Sequence, residues 1–318
     1  MDDRIVIPIT DQNYLELIRE LENLLDQIMA TNERSLIRYC KYVETIPTEY
    51  YRSSFILIWR EAIELVDSIK SLVALSSCNT IPILLRSLFE LNLGIAFICS
   101  DENKIKQRAL AYGGISIIRR IENYKKFDPT NLEYMEFRDC IGIDIVSKFD
   151  KDFDYKGATD NLSSIFEKYP AYKEFKEEYD RIFEQKKQRG RKQVRPEWYE
   201  LFDGKSSIFS LAEMLGMKKY YITLYDQFSL KGHGNNAMSA WEPSALKNPK
   251  VPNLKELASS IDLTLTFITG IATDILKAEF SAEYQYYGRK HLQLRKQIEK
   301  FSEVLNNISF QTEQIIPK

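Results

Sequence analysis

Apolar residues recur at steps of three and four positions along most of this chain. In residues 11–42 the pattern is formed by Leu15, Ile18, Leu21, Leu25 and Ile28. This spacing places apolar side chains on one face of an α-helix. No segment has a convincing strand alternation, and no unit repeats at a fixed period. The sequence therefore predicts an all-α protein built as a multi-helix bundle.

The same spacing, together with capping residues, predicts the other helices. They are expected at residues 50–76, 80–99, 101–124, 128–137, 162–188, 207–215, 218–231, 254–280 and 284–305. A break is considered near Thr31, and Pro170 is expected to interrupt the segment in which it lies. Residues 142–160 combine glycines and aspartates with weak periodicity, which indicates a connection.

These elements suggest a core with peripheral helices at both ends. The predicted division is an amphipathic helix in residues 1–47, a helical core domain in residues 48–281, and a charged helix and tail in residues 282–318. The helix at residues 81–99 is the most apolar, but it carries Arg86, Glu90 and Asn92. A charge at the centre of a bilayer costs about 2.5–3.5 kcal/mol, so this segment is interpreted as a buried core helix.

Composition limits the classes of protein that this chain can represent. Its 318 residues are 44% hydrophobic, which is enough to bury a core, and the net charge of −2 does not indicate a general affinity for nucleic acid or acidic membranes. The four cysteines are widely spaced without a CxxC pair, so neither a zinc site nor a disulfide framework is predicted. The N-terminus lacks an apolar leader, so a cytoplasmic protein without cofactor, metal or membrane association is expected.

The first candidate site is the pair Arg86 and Glu90 on the apolar helix. Their separation of four residues places both on one helix face. Burial of two charges costs several kcal/mol each unless they are paired and hydrogen-bonded. A charged pair on so apolar a helix is therefore expected to have a structural or functional role. The pair either fixes the helix register as a structural ion pair or serves a functional site.

The second candidate site is a stripe of polar side chains at four-residue intervals. It consists of Tyr221, Tyr225, Ser229 and His233. Three hydroxyls and an imidazole therefore share one helix face, and His233 lies between two glycines where the helix must end. A functional imidazole is favoured over a C-terminal cap, whereas His291 on the charged last helix is assigned to the surface.

A basic segment follows the helix that ends near residue 188. Residues 186–195 contain six positive charges, of which Lys187, Arg189, Arg191, Lys192 and Arg195 are weak candidates for contact with nucleic acid. Trp198 and Tyr199 are available for stacking on bases. A solvated loop explains the segment more simply.

Two segments of the chain resemble one known family. Residues 83–90, Ile-Leu-Leu-Arg-Ser-Leu-Phe-Glu, are similar to its LLRSLxE helix. A second motif, W…S…LA…G…Y…Y…S…H, is similar to residues 198–233, and the matching positions are Trp198, Ser207, Leu211, Ala212, Gly216, Tyr221, Tyr225, Ser229 and His233. The family is bacterial and is known as domain of unknown function 5677. The resemblance covers roughly residues 55–280.

That family is in turn similar to the HEPN superfamily in its helical build and its characteristic Arg, Glu, Ser and His. The superfamily includes metal-independent ribonucleases of toxin and antiphage systems, in which an Arg and a His act across a dimer interface. The resemblance implies a HEPN-like fold with a catalytic pocket of Arg86, Glu90, Tyr225, Ser229 and His233. His233 would accept the proton of a ribose 2′-hydroxyl while Arg86 stabilises the transition state. The chain departs from the superfamily pattern because no Arg precedes His233 by four to six residues.

The leading hypothesis is a cytoplasmic effector of defence or toxin-type growth control that cleaves or binds RNA, a candidate HEPN-type ribonuclease. Its expected partners are RNA, a second copy of the chain and a protein encoded in a defence operon. The alternative is a non-catalytic helical module in which Arg86 and His233 bind an anionic small molecule, a nucleotide or a protein. In a third interpretation both motifs are purely structural.

Overall fold

All regular structure in the described residues is helical. The computed structural model describes residues 12–75, 80–130, 132–141, 154–190, 195–226 and 254–307. Its helices are α1 (Gln12–Glu44), α2 (Tyr51–Ala74), α3 (Ile81–Cys99), α4 (Ile105–Lys125), α5 (Leu132–Ile141), α6 (Tyr155–Lys168), α7 (Pro170–Gln188), α8 (Ile208–Met214), α9 (Lys218–Tyr220), α10 (Leu254–Glu279) and α11 (Ser281–Asn307). A 3₁₀ turn lies at Trp198–Glu200 and a π-helical turn at Tyr221–Asp226. The prediction of an all-α bundle is confirmed.

Helix α1 is continuous, so the break considered near Thr31 is wrong. The Thr31 hydroxyl donates to the carbonyl of Gln27 at 2.8 Å, and Nδ2 of Asn32 donates to the carbonyl of Ile28 at 2.8 Å. These bonds satisfy both polar side chains within the helix instead of competing with it. Pro170 begins α7 at its first turn, where its missing N–H is tolerated, and thereby separates α7 from α6 as expected.

The connection predicted at residues 142–160 is shorter than expected. Helix α6 already begins at Tyr155, because the carboxylate of Asp154 accepts the backbone N–H of Gly157 at 2.8 Å and caps the helix. Residues 142–153 lie outside the described ranges. The helix predicted at residues 218–231 is present as α9 and the π-helical turn, and its part beyond Asp226 also lies outside them.

The chain forms two compact units. Unit 1 contains residues 1–48, 55–99 and 212–318, and unit 2 contains residues 49–54 and 100–211. The boundaries predicted at residues 47 and 281 do not coincide with these units. Helices α1, α3, α10 and α11 all belong to unit 1.

Unit 1 is organised around α10. This helix packs against α3 and α11, and α1 packs against both α10 and α11. Leu25 and Ile28 of α1 are fully buried, as is Tyr287 of α11 apart from 1% of its surface. Each such apolar side chain contributes about 1.5–3 kcal/mol on burial. The assignment of the terminal helices to the periphery is therefore wrong, since both supply core residues.

Unit 2 is built on α4, which packs against α6, α7 and the 3₁₀ turn. Its core consists of Ala111, Ile115, Ile121, Phe166, Phe175, Tyr179 and Leu201. Helices α4 and α7 approach closely at Gly114, where an added Cβ would lie 2.4 Å from the ring of Phe175. A larger residue at this position would force the two helices apart.

Two helices of unit 1 are long and apolar enough to cross a membrane. They are α3 and α10, and 67% and 56% of their most apolar windows are buried inside the protein. Core helices of soluble proteins pass the same length and hydropathy test, so this is weak evidence for a membrane. The interpretation of α3 as a core helix agrees with its burial, and a cytoplasmic location stays a prediction.

Candidate functional site

The Arg86–Glu90 pair lies on the most accessible stripe of α3. Nε of Arg86 donates to Oε1 of Glu90 at 3.0 Å, and the two side chains are 26% and 36% exposed. The expectation of a buried ion pair is therefore wrong. The stripe also contains Ile83 and Ser87, both exposed, while the rest of the helix faces the core.

Because it is partly exposed, the Arg86–Glu90 pair neither costs nor contributes much free energy. Because both groups reach solvent, their desolvation is small, and an i,i+4 ion pair on a helix surface contributes about 0.2–0.5 kcal/mol. Fixing the register of α3 does not depend on so weak an interaction, since buried residues such as Leu85 and Phe89 already do this. What remains is an arginine held in one orientation beside solvent.

The turn that follows α9 packs along α3. Tyr220 contacts Phe267 of α10 at 5.6 Å between ring centroids, and Phe89 of α3 contacts the same ring at 5.4 Å. Leu224 is buried within the turn at 3% exposure. The helix that carries the pair and the first turn of the hydroxyl stripe are therefore neighbours in unit 1.

The first turn of the stripe is π-helical. Its i→i+5 hydrogen bonding widens the turn relative to an α-helix, and such turns occur frequently at functional sites. Tyr221 is half-buried at its start, and the backbone of Tyr225 belongs to the same turn. The side chain of Tyr225 is not described, and Ser229 and His233 lie outside the described residues, so the pocket predicted for the five side chains stays a prediction.

Two residues of the basic segment form ion pairs with acidic side chains. Lys186 is buried at 7% exposure, where its Nζ donates to Oε2 of Glu200 at 2.7 Å and to the carbonyl of Arg195 at 3.1 Å. Arg195 forms an ion pair with Glu122 at 3.2 Å. A solvated loop does not describe the buried Lys186, whereas the Arg195 side chain remains 61% exposed.

The remaining candidate residues of the basic segment are either exposed or outside the described ranges. Lys187 and Arg189 are exposed, whereas Arg191 and Lys192 lie outside the described ranges. Trp198 is half-buried and packs edge-on against Tyr112, with ring centroids 5.2 Å apart. Its ring is therefore engaged in unit 2 rather than presented for stacking on bases.

His291 belongs to a hydrogen-bonded network that the sequence did not predict. Its Nδ1 lies 2.9 Å from the hydroxyl of Thr269. Burial raises the pKa of Tyr287, and Thr269 and Asn32 partly offset that rise. Tyr287 donates to Oδ1 of Asn32 at 2.9 Å, and Nε1 of Trp59 donates to the same oxygen at 3.0 Å. The assignment of His291 to the surface is wrong, since its ring is half-buried.

Charged groups flank this histidine on α10 and α11. Arg295 forms an ion pair with Asp262 and donates to the hydroxyl of Thr266 at 2.9 Å. Burial lowers the pKa of His291, Arg295 lowers it further, and Asp262 raises it. His291 and Arg295 are four residues apart, which was the available sequence signal, but the partner residues on α10 become neighbours only through tertiary packing.

No group of three or more potential metal ligands among His, Cys, Asp and Glu occurs in the described part of the chain. The three described cysteines, Cys40, Cys99 and Cys140, are free thiols. Burial raises the pKa of Cys99, which disfavours its reactive thiolate. The side chains discussed above are therefore the principal candidates for chemistry in these ranges.

Comparison with known proteins supports the family resemblance. A family of unknown function, DUF5677, matches residues 53–243, which is more than half of the chain. The protein belongs to this family, and both candidate motifs, around Arg86 and around residues 198–233, fall within the matched region. No curated protein and no solved structure matches the chain.

Proposed function

We propose that this protein is a HEPN-like effector that cleaves RNA without a metal ion, in antiphage defence or growth control. One observation carries the proposal. The Arg86–Glu90 pair is partly exposed on a helix that is otherwise largely buried, and the first turn of the hydroxyl stripe packs along that helix. An arginine whose Nε is oriented by a carboxylate beside solvent is suited to bind a phosphodiester.

In the proposed reaction, His233 accepts the proton of a ribose 2′-hydroxyl. The 2′-oxygen attacks the adjacent phosphorus, the bond from phosphorus to O5′ breaks, and O5′ takes a proton from water, while His233 later releases its proton to solvent. The products are a 2′,3′-cyclic phosphate and a 5′-hydroxyl. Arg86 stabilises the charge of the phosphorane-like transition state, and Glu90 fixes the orientation of its guanidinium. Tyr225 and Ser229 supply further hydrogen bonds.

The proposed assembly follows from the HEPN resemblance. Since an Arg and a His of such enzymes act across a dimer interface, a homodimer is proposed as the active form. A protein encoded in the same operon is proposed to control its activity.

A second candidate is a non-catalytic module that binds an anionic small molecule, a nucleotide or a protein at the same residues. It is favoured by the fixed position of Arg86, whose Nε is already bonded to Glu90 at 3.0 Å. A guanidinium preset in this way binds an anion without any proton transfer. This function predicts binding that requires Arg86 but no cleavage.

The decisive experiment incubates the purified full-length protein with single-stranded RNA in the presence of a chelator. Products are resolved by electrophoresis and their ends are identified chemically. The variants are Arg86→Ala, Arg86→Lys and His233→Ala. Arg60→Ala is the matched control, because Arg60 and Glu64 form the same i,i+4 contact on α2 at 2.9 Å.

We expect wild type and Arg60→Ala to produce cyclic-phosphate ends, and Arg86→Ala and His233→Ala to lose at least a hundredfold in rate, in keeping with the roughly 10²–10⁴-fold contribution of general acid–base catalysis. A 2′-deoxy substitution at the cleaved position should block the reaction. Undiminished cleavage by both variants, or RNA binding without any cleavage by the wild type, would overturn the proposed reaction.

A further inference from the structure

Helix α11 carries an unusual excess of positive charge. Between residues 284 and 297 it contains Arg289, Lys290, Arg295 and Lys296 but no acidic residue. The chain as a whole has a net charge of −2, so this excess is local. On the side of α11 that faces α1, one of these charges, Lys290, lies near two arginines of α1.

The basic seam between α1 and α11 consists of Arg34, Arg38, Tyr286 and Lys290. The guanidinium of Arg38 lies over the ring of Tyr286, 4.5 Å from its centroid. Arg34, Lys290 and Arg38 all lower the pKa of the Tyr286 phenol. One cation therefore lies over this ring, and the charges of two more act on its hydroxyl.

One buried acidic residue, Glu283, pairs with an arginine of this seam. The carboxylate of Glu283 is buried at 5% exposure, accepts from the hydroxyl of Ser35 at 2.7 Å, and pairs with NH1 of Arg38 at 3.1 Å. The Arg38 side chain remains 43% exposed. Glu283 thus anchors Arg38 with its guanidinium at the surface, but it neutralises only one of the three cations.

The other two cations of the seam have no acidic partner in the described part of the chain. Arg34 contacts the Tyr286 hydroxyl, and Lys290 donates to Oε1 of Gln293 at 3.4 Å. The hydrogen bond from Arg34 lowers the pKa of Tyr286, and the charges of Lys290 and Arg38 lower it further. An interhelical ion pair explains Arg38 and Glu283, but it does not explain why Arg34 and Lys290 are placed beside them.

We infer that the basic seam binds the phosphate groups of a single-stranded nucleic acid, and that it holds a substrate strand on unit 1. This inference rests on the proposed function for the identity of the polyanion. Two cations without an acidic partner beside an anchored arginine form a charge pattern that suits a phosphate backbone, and the exposed part of Tyr286 offers a ring edge for a base. The contacts are to phosphate, so the seam does not distinguish RNA from DNA.

The test uses the full-length protein and two fluorescent oligonucleotides of one sequence, a single-stranded RNA and a single-stranded DNA. Because DNA lacks the 2′-hydroxyl, its binding is measured without any cleavage. The seam variant is Arg34→Gln with Lys290→Gln, which leaves the Arg38–Glu283 anchor intact. The matched control is Arg19→Gln with Lys300→Gln, since it removes the same charge from exposed positions on the same two helices.

We expect the seam variant to bind both oligonucleotides at least tenfold more weakly than the control variant. Two lost phosphate contacts should also reduce the slope of log K against log salt concentration by about 1.4 for a single strand. Circular dichroism of both variants checks that the fold is retained. Equal affinity and equal salt slope for seam and control variants would overturn the inference, as would seam-dependent binding to phosphatidylserine vesicles but to neither oligonucleotide.

The outcomes separate this inference from the proposed function. If RNA cleavage depends on Arg86 but the seam variant binds as well as the control, the proposed function is supported and the binding role of the seam is excluded. If the DNA strand binds through the seam but RNA is not cleaved, the binding role is supported and the proposed reaction is excluded.

Discussion

The hydroxyl of Thr269 lies 2.9 Å from Nδ1 of His291, and this contact joins a half-buried imidazole to the core of unit 1. Tyr287 lies four residues before His291 on α11 and donates to Oδ1 of Asn32, which also accepts the Nε1–H of Trp59 of α2. Buried hydrogen bonds of this kind restrict side chains to one arrangement. The consequences for His291 can be measured, because the chain has only two histidines.

The pKa of His291 should respond to the charges on either side of it. Arg295→Gln removes a cation that lowers this pKa and leaves Asp262 without its partner, so both effects raise the pKa. Asp262→Asn should lower it. Nuclear magnetic resonance titration of the imidazole C–H protons measures both shifts, with His291→Gln used for assignment. A lower pKa of His291 in the Arg295→Gln variant would contradict the assigned electrostatics.

The depressed pKa of His291 also predicts how stability depends on pH. Below the unfolded value of 6.5 the unfolded chain binds a proton that the folded ring does not yet accept. Stability should therefore fall as the pH is lowered from 6.5 towards the folded pKa, and part of that fall should vanish in His291→Gln. Urea unfolding of both proteins at pH 7.5 and 5.5 provides the comparison, and parallel losses in the two proteins would rule out this contribution.

Asn32 should be hard to replace because it accepts two buried hydrogen bonds. Asn32→Leu leaves the indole N–H of Trp59 and the hydroxyl of Tyr287 without their acceptor. Each unsatisfied buried donor costs about 1–3 kcal/mol, so for two donors we expect a loss of about 2–6 kcal/mol in the free energy of unfolding. Denaturant unfolding measures it.

A control for Asn32→Leu is the substitution Trp59→Phe in the same background. This substitution removes one of the two donors that Asn32→Leu leaves unsatisfied. The double variant should therefore lose less free energy of unfolding than the sum of the losses in the two single variants. Strict additivity would mean that the two side chains are not coupled.

The contrast between α10 and His291 illustrates what the sequence could reveal. Helix α10 was expected at residues 254–280 and is found at Leu254–Glu279, because its periodicity is local and strong. The surroundings of His291 depend instead on packing between distant segments. Tyr287 and Asn32 are 255 positions apart in the chain, and no pattern within α1 or α11 pairs them.

The Arg86–Glu90 pair was recognised from its spacing, but its environment was not. An apolar helix suggested burial, whereas α3 keeps one stripe accessible, and which face is left uncovered is decided by the neighbouring helices. The continuity of α1 through Thr31 was missed for a related reason. Polar residues there bond to the helix backbone or to core partners that a one-helix pattern does not contain.

The close contact of α3 and α10 predicts a specific rescue. A Cβ added at Gly270 would lie 2.2 Å from Oδ1 of Asn92, a buried oxygen without a hydrogen-bond partner in the described part of the chain. Gly270→Ala should therefore destabilise the protein by about 1–3 kcal/mol through overpacking. Asn92→Ala creates room, so Gly270→Ala should cost less in that background. A double-mutant cycle of unfolding free energies shows a coupling of at least about 0.5 kcal/mol if the contact is as described.

Under the proposed function, the protein expressed without its proposed control partner should be toxic to cells. We expect induction of the wild-type chain to inhibit growth, and Arg86→Ala and His233→Ala to relieve the inhibition at equal protein levels. The partly exposed ion pair of Arg86 with Glu90 contributes only about 0.2–0.5 kcal/mol, so its removal in Arg86→Ala should leave the protein folded. Thermal unfolding checks this. Toxicity in both variants would exclude these residues from the toxic activity, and unfolding of Arg86→Ala would instead identify the pair as a structural element of α3.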